Sequence, residues 1–194
     1  MKKSVSTAFF AICILISNAQ TDPGGLRVND KAPDFSAKDQ NGKTISLNNE
    51  LKNGKVVLIF YRGQWCPYCN KELKSIEDSL SLITSRGALL LAVTPELPEN
   101  ISKTINKTGA SYSIISDDGL KIMKAYKVAY AVDPALNEKY RTYGLDLVKA
   151  NGSNGANLPV PAVYIIDRDG NIIYRYFDVD YRNRASVMDI VDHL

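Results

Sequence analysis

The stretch from Lys55 to Ile83 constrains the chain most. Val56, Val57, Leu58, Ile59 and Phe60 form an unbroken apolar run, the composition of a strand covered on both faces of a sheet. Arg62-Gly63-Gln64-Trp65-Cys66-Pro67-Tyr68-Cys69 follows at once, and then Leu73, Ile76, Leu80 and Ile83 recur at helical spacing. Arg86-Gly87 closes that helix, and Ala88 to Val93 reads as a second buried strand. Strand, loop, helix and strand make a βαβ unit with the usual right-handed crossover. The predicted fold class is α/β.

The alternation continues downstream. Pro98 to Gly109 predicts a helix, Tyr112 to Ile115 a short strand and Asp118 to Tyr126 another helix. Upstream, Thr44 to Leu47 alternates apolar and polar after the turn pair Asn41-Gly42, which predicts a short hairpin. From Asp133 to Leu158 the pattern loosens, and Asn151-Gly152-Ser153-Asn154-Gly155 reads as a flexible part of an insertion. Val160 to Asp167 and Ile172 to Phe177 are strand-like runs joined by Arg168-Asp169-Gly170-Asn171, a hairpin signal because Gly and Asn accept positive φ. Ala185 to Leu194 predicts a closing helix. There is no internal repeat or second core pattern, so residues 20–194 are expected to form one domain.

The first nineteen residues stand apart. Lys2 and Lys3 precede the apolar run Val5 to Ile16, which ends in Ser17-Asn18-Ala19. This is the layout of a secretory signal, residues 1–19, cut after Ala19. The run is short for a membrane span, and the competing reading is an uncleaved anchor. The expected location is periplasmic or otherwise extracytoplasmic, with no stable membrane association once the signal is removed. The 24 Lys and Arg are interleaved with 21 Asp and Glu, which leaves no basic face for nucleic acid.

Of three cysteines, Cys13 falls inside the signal, so the mature chain keeps Cys66 and Cys69. A bridge between them closes a very small loop and constrains the unfolded chain little, which points to redox chemistry over a structural staple. Unpaired N–H groups and the positive end of the helix dipole favour a thiolate at such a helix start. Pro67 suits the first turn because it has no N–H to leave unpaired, and the spacing lets the sulfurs pair without large movement. Two other readings compete. A zinc half-site needs two more ligands, and the only histidine is His193; an inert disulfide needs neither sulfur to react. No metal or other cofactor is expected.

Neighbouring residues are supporting candidates. Arg62 is positioned to stabilise a thiolate or a developing negative charge, or else is a solvated strand-end residue. Trp65 is a recognition surface, a lid or a core anchor. Pro161, just after Pro159 and Val160, either carries a cis bond that sets backbone beside the sulfurs or is a plain strand-entry proline. Tyr130 and Tyr164 read as packing. The charged run Asp178, Asp180, Arg182, Arg184 reads as solvated and is assigned no role.

Taken together these residues resemble the alkyl hydroperoxide reductase and thiol-specific antioxidant family, in its peroxiredoxin-like branch. The similar pieces are Ala32-Pro33-Asp34-Phe35, the block Phe60 to Asn70, Val93-Thr94-Pro95-Glu96, Leu158 to Asp167 and the segment Asp178 to Arg184. The resemblance implies a thioredoxin-like fold, a central mixed sheet flanked by helices, with an N-terminal extension and an insertion before the last hairpin. It implies a thiol peroxidase that reduces hydrogen peroxide or organic hydroperoxides and is re-reduced by a thioredoxin-type protein. The peroxiredoxin pattern Pro, three residues, Thr, two residues, Cys puts its cysteine on Cys69, its threonine on Cys66 and its proline on Arg62. The family's peroxide-cleaving arginine would fall near Pro161. In that reading Cys69 attacks peroxide and Cys66 resolves. In the alternative, an exported reductase of protein disulfides, Cys66 attacks as the more exposed sulfur and Cys69 resolves. A redox-inactive binding protein is the third class.

Overall fold

A computed structural model describes residues 23–194; the expected signal and its cleavage point lie outside the described residues. β1 (Ser36–Lys38) and β2 (Thr44–Ser46) pair antiparallel around the Asn41-Gly42 turn, and α1 (Leu47–Glu50) follows. β3 (Lys55–Phe60) enters the sheet, α2 (Pro67–Asp78) and α3 (Leu80–Thr84) cross over it, and β4 (Ala88–Thr94) returns parallel to β3. α4 (Pro98–Thr108) leads to β5 (Ser113–Ser116), parallel to β4. Next come α5 (Lys121–Ala125), β6 (Ala129–Ala131), α6 (Pro134–Thr142), α7 (Leu147–Asn151) and β7 (Asn157–Pro159), with β6 and β7 paired antiparallel. β8 (Ala162–Ile166), β9 (Ile172–Phe177) and α8 (Val187–Asp192) close the chain.

The main sheet runs in the order β5-β4-β3-β8-β9, with β8 antiparallel to both neighbours. It is the mixed, helix-flanked sheet of a thioredoxin-like fold. The central place of β3 explains its uninterrupted apolar run. Val57 and Ile59 face the core packed by α2, α3 and α8, while Val56, Leu58 and Phe60 face the core on the opposite side of the sheet. There Phe60, Tyr126 and Tyr164 stack, with Phe60–Tyr126 and Tyr126–Tyr164 centroids 5.3 and 5.6 Å apart. Tyr164 is packing, as expected, and its hydroxyl accepts the Leu26 N–H at 3.1 Å. Each such buried side chain is worth about 1.5–3 kcal/mol.

The structure corrects two expectations. The helix after the cysteines breaks at Ser79, whose backbone (φ −118°, ψ 13°) leaves the helical region. The insertion holds two helices, capped by Asp133 and Asp146, whose side-chain oxygens accept from the first-turn N–H groups of Ala135, Leu136 and Lys149. Its Asn/Gly stretch is locked in place. The Asn151 amide donates to the Gly155 and Asn157 carbonyls, and the Asn154 amide donates to the Pro95 and Asp117 carbonyls and accepts from Gly119 N. These amides satisfy backbone groups that no ladder reaches. No helix among the described residues is long and apolar enough to cross a membrane.

Candidate active site

At the end of β3 the chain leaves the sheet over residues 61–66. Cys66 is the N-cap of α2 in extended conformation, Pro67 opens the first turn, and Cys69 lies in that turn. The Cys69 N–H donates to Cys66 Sγ at 3.4 Å, so this sulfur takes the place of the oxygen in an ordinary cap. Both are free thiols, and the greater exposure expected of Cys66 is not found: the residues are 1% and 0% exposed.

Their surroundings separate them. The Cys69 thiol, donating to Cys66, does most to pull the Cys66 thiol down to about 6; burial opposes this, and the Cys69 N–H, Arg62 and Arg184 add to it. Burial pushes Cys69 well above the ordinary range, the Cys66 sulfur pushes it further, and Arg184 opposes. At neutral pH the pair therefore carries one proton, on Cys69, and Cys66 is the thiolate. The sulfur that motif alignment casts as attacker is thus the one held protonated.

Arg62 is not a solvated residue: it is 2% exposed. Its Nη2 donates to the Tyr140 hydroxyl at 2.7 Å, and its guanidinium lies 4.1 Å from the Tyr181 ring centroid and 4.9 Å from that of Trp65. Tyr130, read as packing, also lies beside Arg62. Burial raises the Tyr130 hydroxyl pKa and the guanidinium opposes. Trp65 is half-buried, packed between the main core and a small cluster with Leu147 and Leu158, its ring 5.9 Å from Tyr140. It anchors packing and walls the site at once. The bond before Pro161 is trans, so the strand-entry reading holds. Ala162 pairs with Phe60, which sets Pro161 at the end of the sheet where the cysteine loop begins.

The largest departure concerns the run Asp178 to Arg184. Asp180 and Arg182 are solvent-facing, as expected of the run, and pair at 2.7 Å. Tyr181 covers Arg62 and meets Tyr68 edge-on, with centroids 5.8 Å apart. Arg184 turns inward. Its Nη2 donates to Cys69 Sγ at 3.3 Å, and its Nε lies 2.9 Å from Glu72 Oε2 without an aligned hydrogen bond. Burial lifts Glu72 to about 8 even though Arg184 opposes, so this carboxyl holds a proton at neutral pH. Glu96, just past β4, is fully buried and lifted to about 7, chiefly by burial.

Sequence reasoning missed Glu72, Glu96, Tyr140, Tyr181 and Arg184. Glu72 left a signal, since it is a charged residue next to Leu73 on the apolar side of an amphipathic helix. Arg184 left only its place in the family-like segment Asp178 to Arg184, because the fold alone brings it 115 residues back to Cys69. No group of three or more His, Cys, Asp or Glu suited to a metal ion occurs among the described residues.

The model of the AhpC/TSA family matches residues 28–175. The chain belongs to the AhpC/TSA family. As such it is an oxidoreductase with peroxiredoxin relatives. A Mycobacterium tuberculosis protein named as a peroxiredoxin is 24% identical over 79% of this chain and 87% of its own length. The thiol-disulfide oxidoreductase ResA of Halalkalibacterium halodurans is 30% identical over 58% of this chain and 63% of its own. The solved peroxidoxin BcpB of M. tuberculosis shares the fold with a TM-score of 0.67 and 18% identity, over 87% of this chain and 96% of that one. Arg184 lies beyond the residues the AhpC/TSA model matches.

Proposed function

We propose that the protein is an exported thiol peroxidase in which Cys66 attacks the hydroperoxide, Cys69 resolves, and a thioredoxin-type dithiol restores the pair. The observation that carries this reading is the enclosure of an acidified thiolate. Cys66 is 1% exposed, and the Arg62 guanidinium that favours its thiolate is packed against Trp65, Tyr140 and Tyr181, a burial that favours a small hydroperoxide over a protein disulfide as substrate. A cavity of about 480 Å³, bounded by Tyr68, Glu72, Arg182, Arg184 and Val187, opens beside the same helix.

The chemistry follows from the charges. The Cys66 thiolate gives an electron pair to one peroxide oxygen, the O–O bond breaks, and the departing alkoxide or hydroxide takes up a proton, leaving Cys66 as a sulfenic acid. Arg62 and Arg184 offset the negative charge that develops on the oxygens. The Cys69 thiol then attacks the Cys66 sulfur, water leaves, and a disulfide remains for an external dithiol to reduce. Export through residues 1–19 belongs to this proposal, with N-terminal sequencing of the secreted chain as its check.

A second reading, reduction of protein disulfides, is favoured by the likeness to ResA and uses the same leading sulfur. Single replacements separate the cases. Cys66→Ser ends peroxide consumption, while Cys69→Ser still consumes one equivalent and yields a sulfenic acid that a dione reagent traps. Attack by Cys69 gives the reverse pattern, and faster turnover of insulin disulfides than of peroxide establishes the reductase.

A further inference from the structure

Gln64, two residues before Cys66, is held through its N–H, its carbonyl and its side-chain oxygen. Its N–H donates to Glu96 Oε2 at 2.7 Å. Its carbonyl accepts from Asn70 Nδ2 at 2.8 Å and Lys107 Nζ at 2.9 Å, and its side-chain oxygen accepts from the same ammonium at 2.6 Å. The loop closes directly on the sulfur, since Cys66 N donates to the Gly63 carbonyl at 3.1 Å. It also lies flush against the carboxylate: a Cβ built on Gly63 would fall 2.7 Å from Glu96 Cδ and 2.5 Å from Trp65 Nε1. Glu96 has no other visible task. It is fully buried, and its Oε1 accepts no hydrogen bond.

We propose that Glu96 is a positioning residue for Cys66, holding the Gly63–Cys66 loop through the Gln64 amide so that the sulfur stays within reach of the Cys69 N–H. The inference rests on the dithiol reading of the site, with Cys66 as the leading thiolate, and adds a residue that touches neither sulfur nor peroxide in the scheme above. Its sign is diagnostic. The charge of Glu96 is faced by Lys103 and Lys107 from α4, Cys69 from α2 and Tyr61 just after β3. If Glu96 acted through charge alone, removing it would make thiolate formation easier. If it acts by position, removing the acceptor lets Cys66 drift from its donor and makes thiolate formation harder.

The test is the pH dependence of Cys66 alkylation by monobromobimane in the reduced protein, which requires no peroxide turnover. Glu96→Leu is expected to move the midpoint up by roughly one pH unit, which at pH 6 is about a fivefold loss of rate. Glu96→Gln keeps the acceptor and is expected to leave the midpoint at or below that of the parent protein. Lys107→Met, at an exposed position, removes one of the two donors to the Gln64 carbonyl and the donor to its side-chain oxygen, and is expected to give a smaller rise when read in about 1 M salt, which screens the lost charge; it decides the matter if Glu96→Leu does not fold. No rise in Glu96→Leu, or in Lys107→Met where that variant decides, overturns the inference alone, as does an equal rise in Glu96→Gln. A parent midpoint near the value of about 8.5 for a free thiol overturns the leading role of Cys66 and the inference with it.

Discussion

Replacing Glu72 with Gln tests the electrostatics of the site through stability. The carboxyl titrates at 4.5 when unperturbed and is lifted by burial to about 8 in the folded chain, although Arg184 opposes. Below 4.5 both folded and unfolded states hold the proton, and the group costs nothing. Between 4.5 and 8 the unfolded chain releases the proton while the folded chain keeps it, so stability falls by about 1.4 kcal/mol for each pH unit. Above 8 the loss is complete and levels off. From pH 5 to pH 8 the native protein should therefore lose about 3 kcal/mol through this one residue, a large share of a typical folding free energy of about 5–15 kcal/mol. Gln does not titrate. Any fixed cost of the substitution, including the lost contact with Arg184, appears at both pH values and cancels when the two proteins are compared across the range. Urea unfolding of the reduced proteins, followed by Trp65 emission, reads the difference. With a slope of about 2 kcal/mol per molar urea, the midpoint of Glu72→Gln should gain about 1.5 M on the parent between pH 5 and pH 8. Parallel pH dependences in the two proteins would refute a buried carboxyl kept neutral by its surroundings.

Three further outcomes follow from geometry already described. Tyr140→Phe deletes the acceptor of the 2.7 Å bond from Arg62 and leaves a buried guanidinium donor unmet; a loss of about 1–2 kcal/mol is expected in thermal or urea unfolding. Asn154→Ala removes three hydrogen bonds to Pro95, Asp117 and Gly119, with an expected cost of about 2–3 kcal/mol and faster amide exchange over residues 117–120. Gly54→Ala would bring a Cβ to 1.9 Å from the Gly87 carbonyl, forcing apart the turns that lead into β3 and β4. A loss of more than about 2 kcal/mol is expected there, and an unchanged melting temperature would refute the contact.

The main sheet and the cysteine-bearing helix start were legible because each is a local pattern. Val56 to Phe60 and Ala88 to Val93 announce buried strands by composition, and Cys66-Pro67-Tyr68-Cys69 is contiguous with the helix that displays it. The Asn/Gly stretch of the insertion was misread as flexible because Asn and Gly signal turns equally well whether their amides meet water or buried carbonyls; Asn151 and Asn154 meet carbonyls. Arg184 was misread for a different reason. Its neighbours Asp180 and Arg182 are a solvated pair, and the inward turn of the next basic residue depends on Glu72 and Cys69, which are distant in sequence. Arg62 and Trp65 were singled out because they flank the cysteines in sequence, but their aromatic partners Tyr140 and Tyr181 come from two other parts of the chain.

The insertion between β6 and β7 separates two jobs. The reactivity of Cys66 arises at the β3–α2 junction, from the cap hydrogen bond and the guanidinium groups about it. The roof over that junction is borrowed: Tyr140 comes from α6, while α7 is tied to the start of α4 by the Ala150 carbonyl, which accepts from Leu97 N and Asn100 Nδ2. Divergence within residues 134–155 can thus change the size and polarity of the molecules admitted while the sulfur chemistry beneath stays as it is. Grafting that segment between relatives should transfer selectivity among hydroperoxides without transferring the acidity of the thiol.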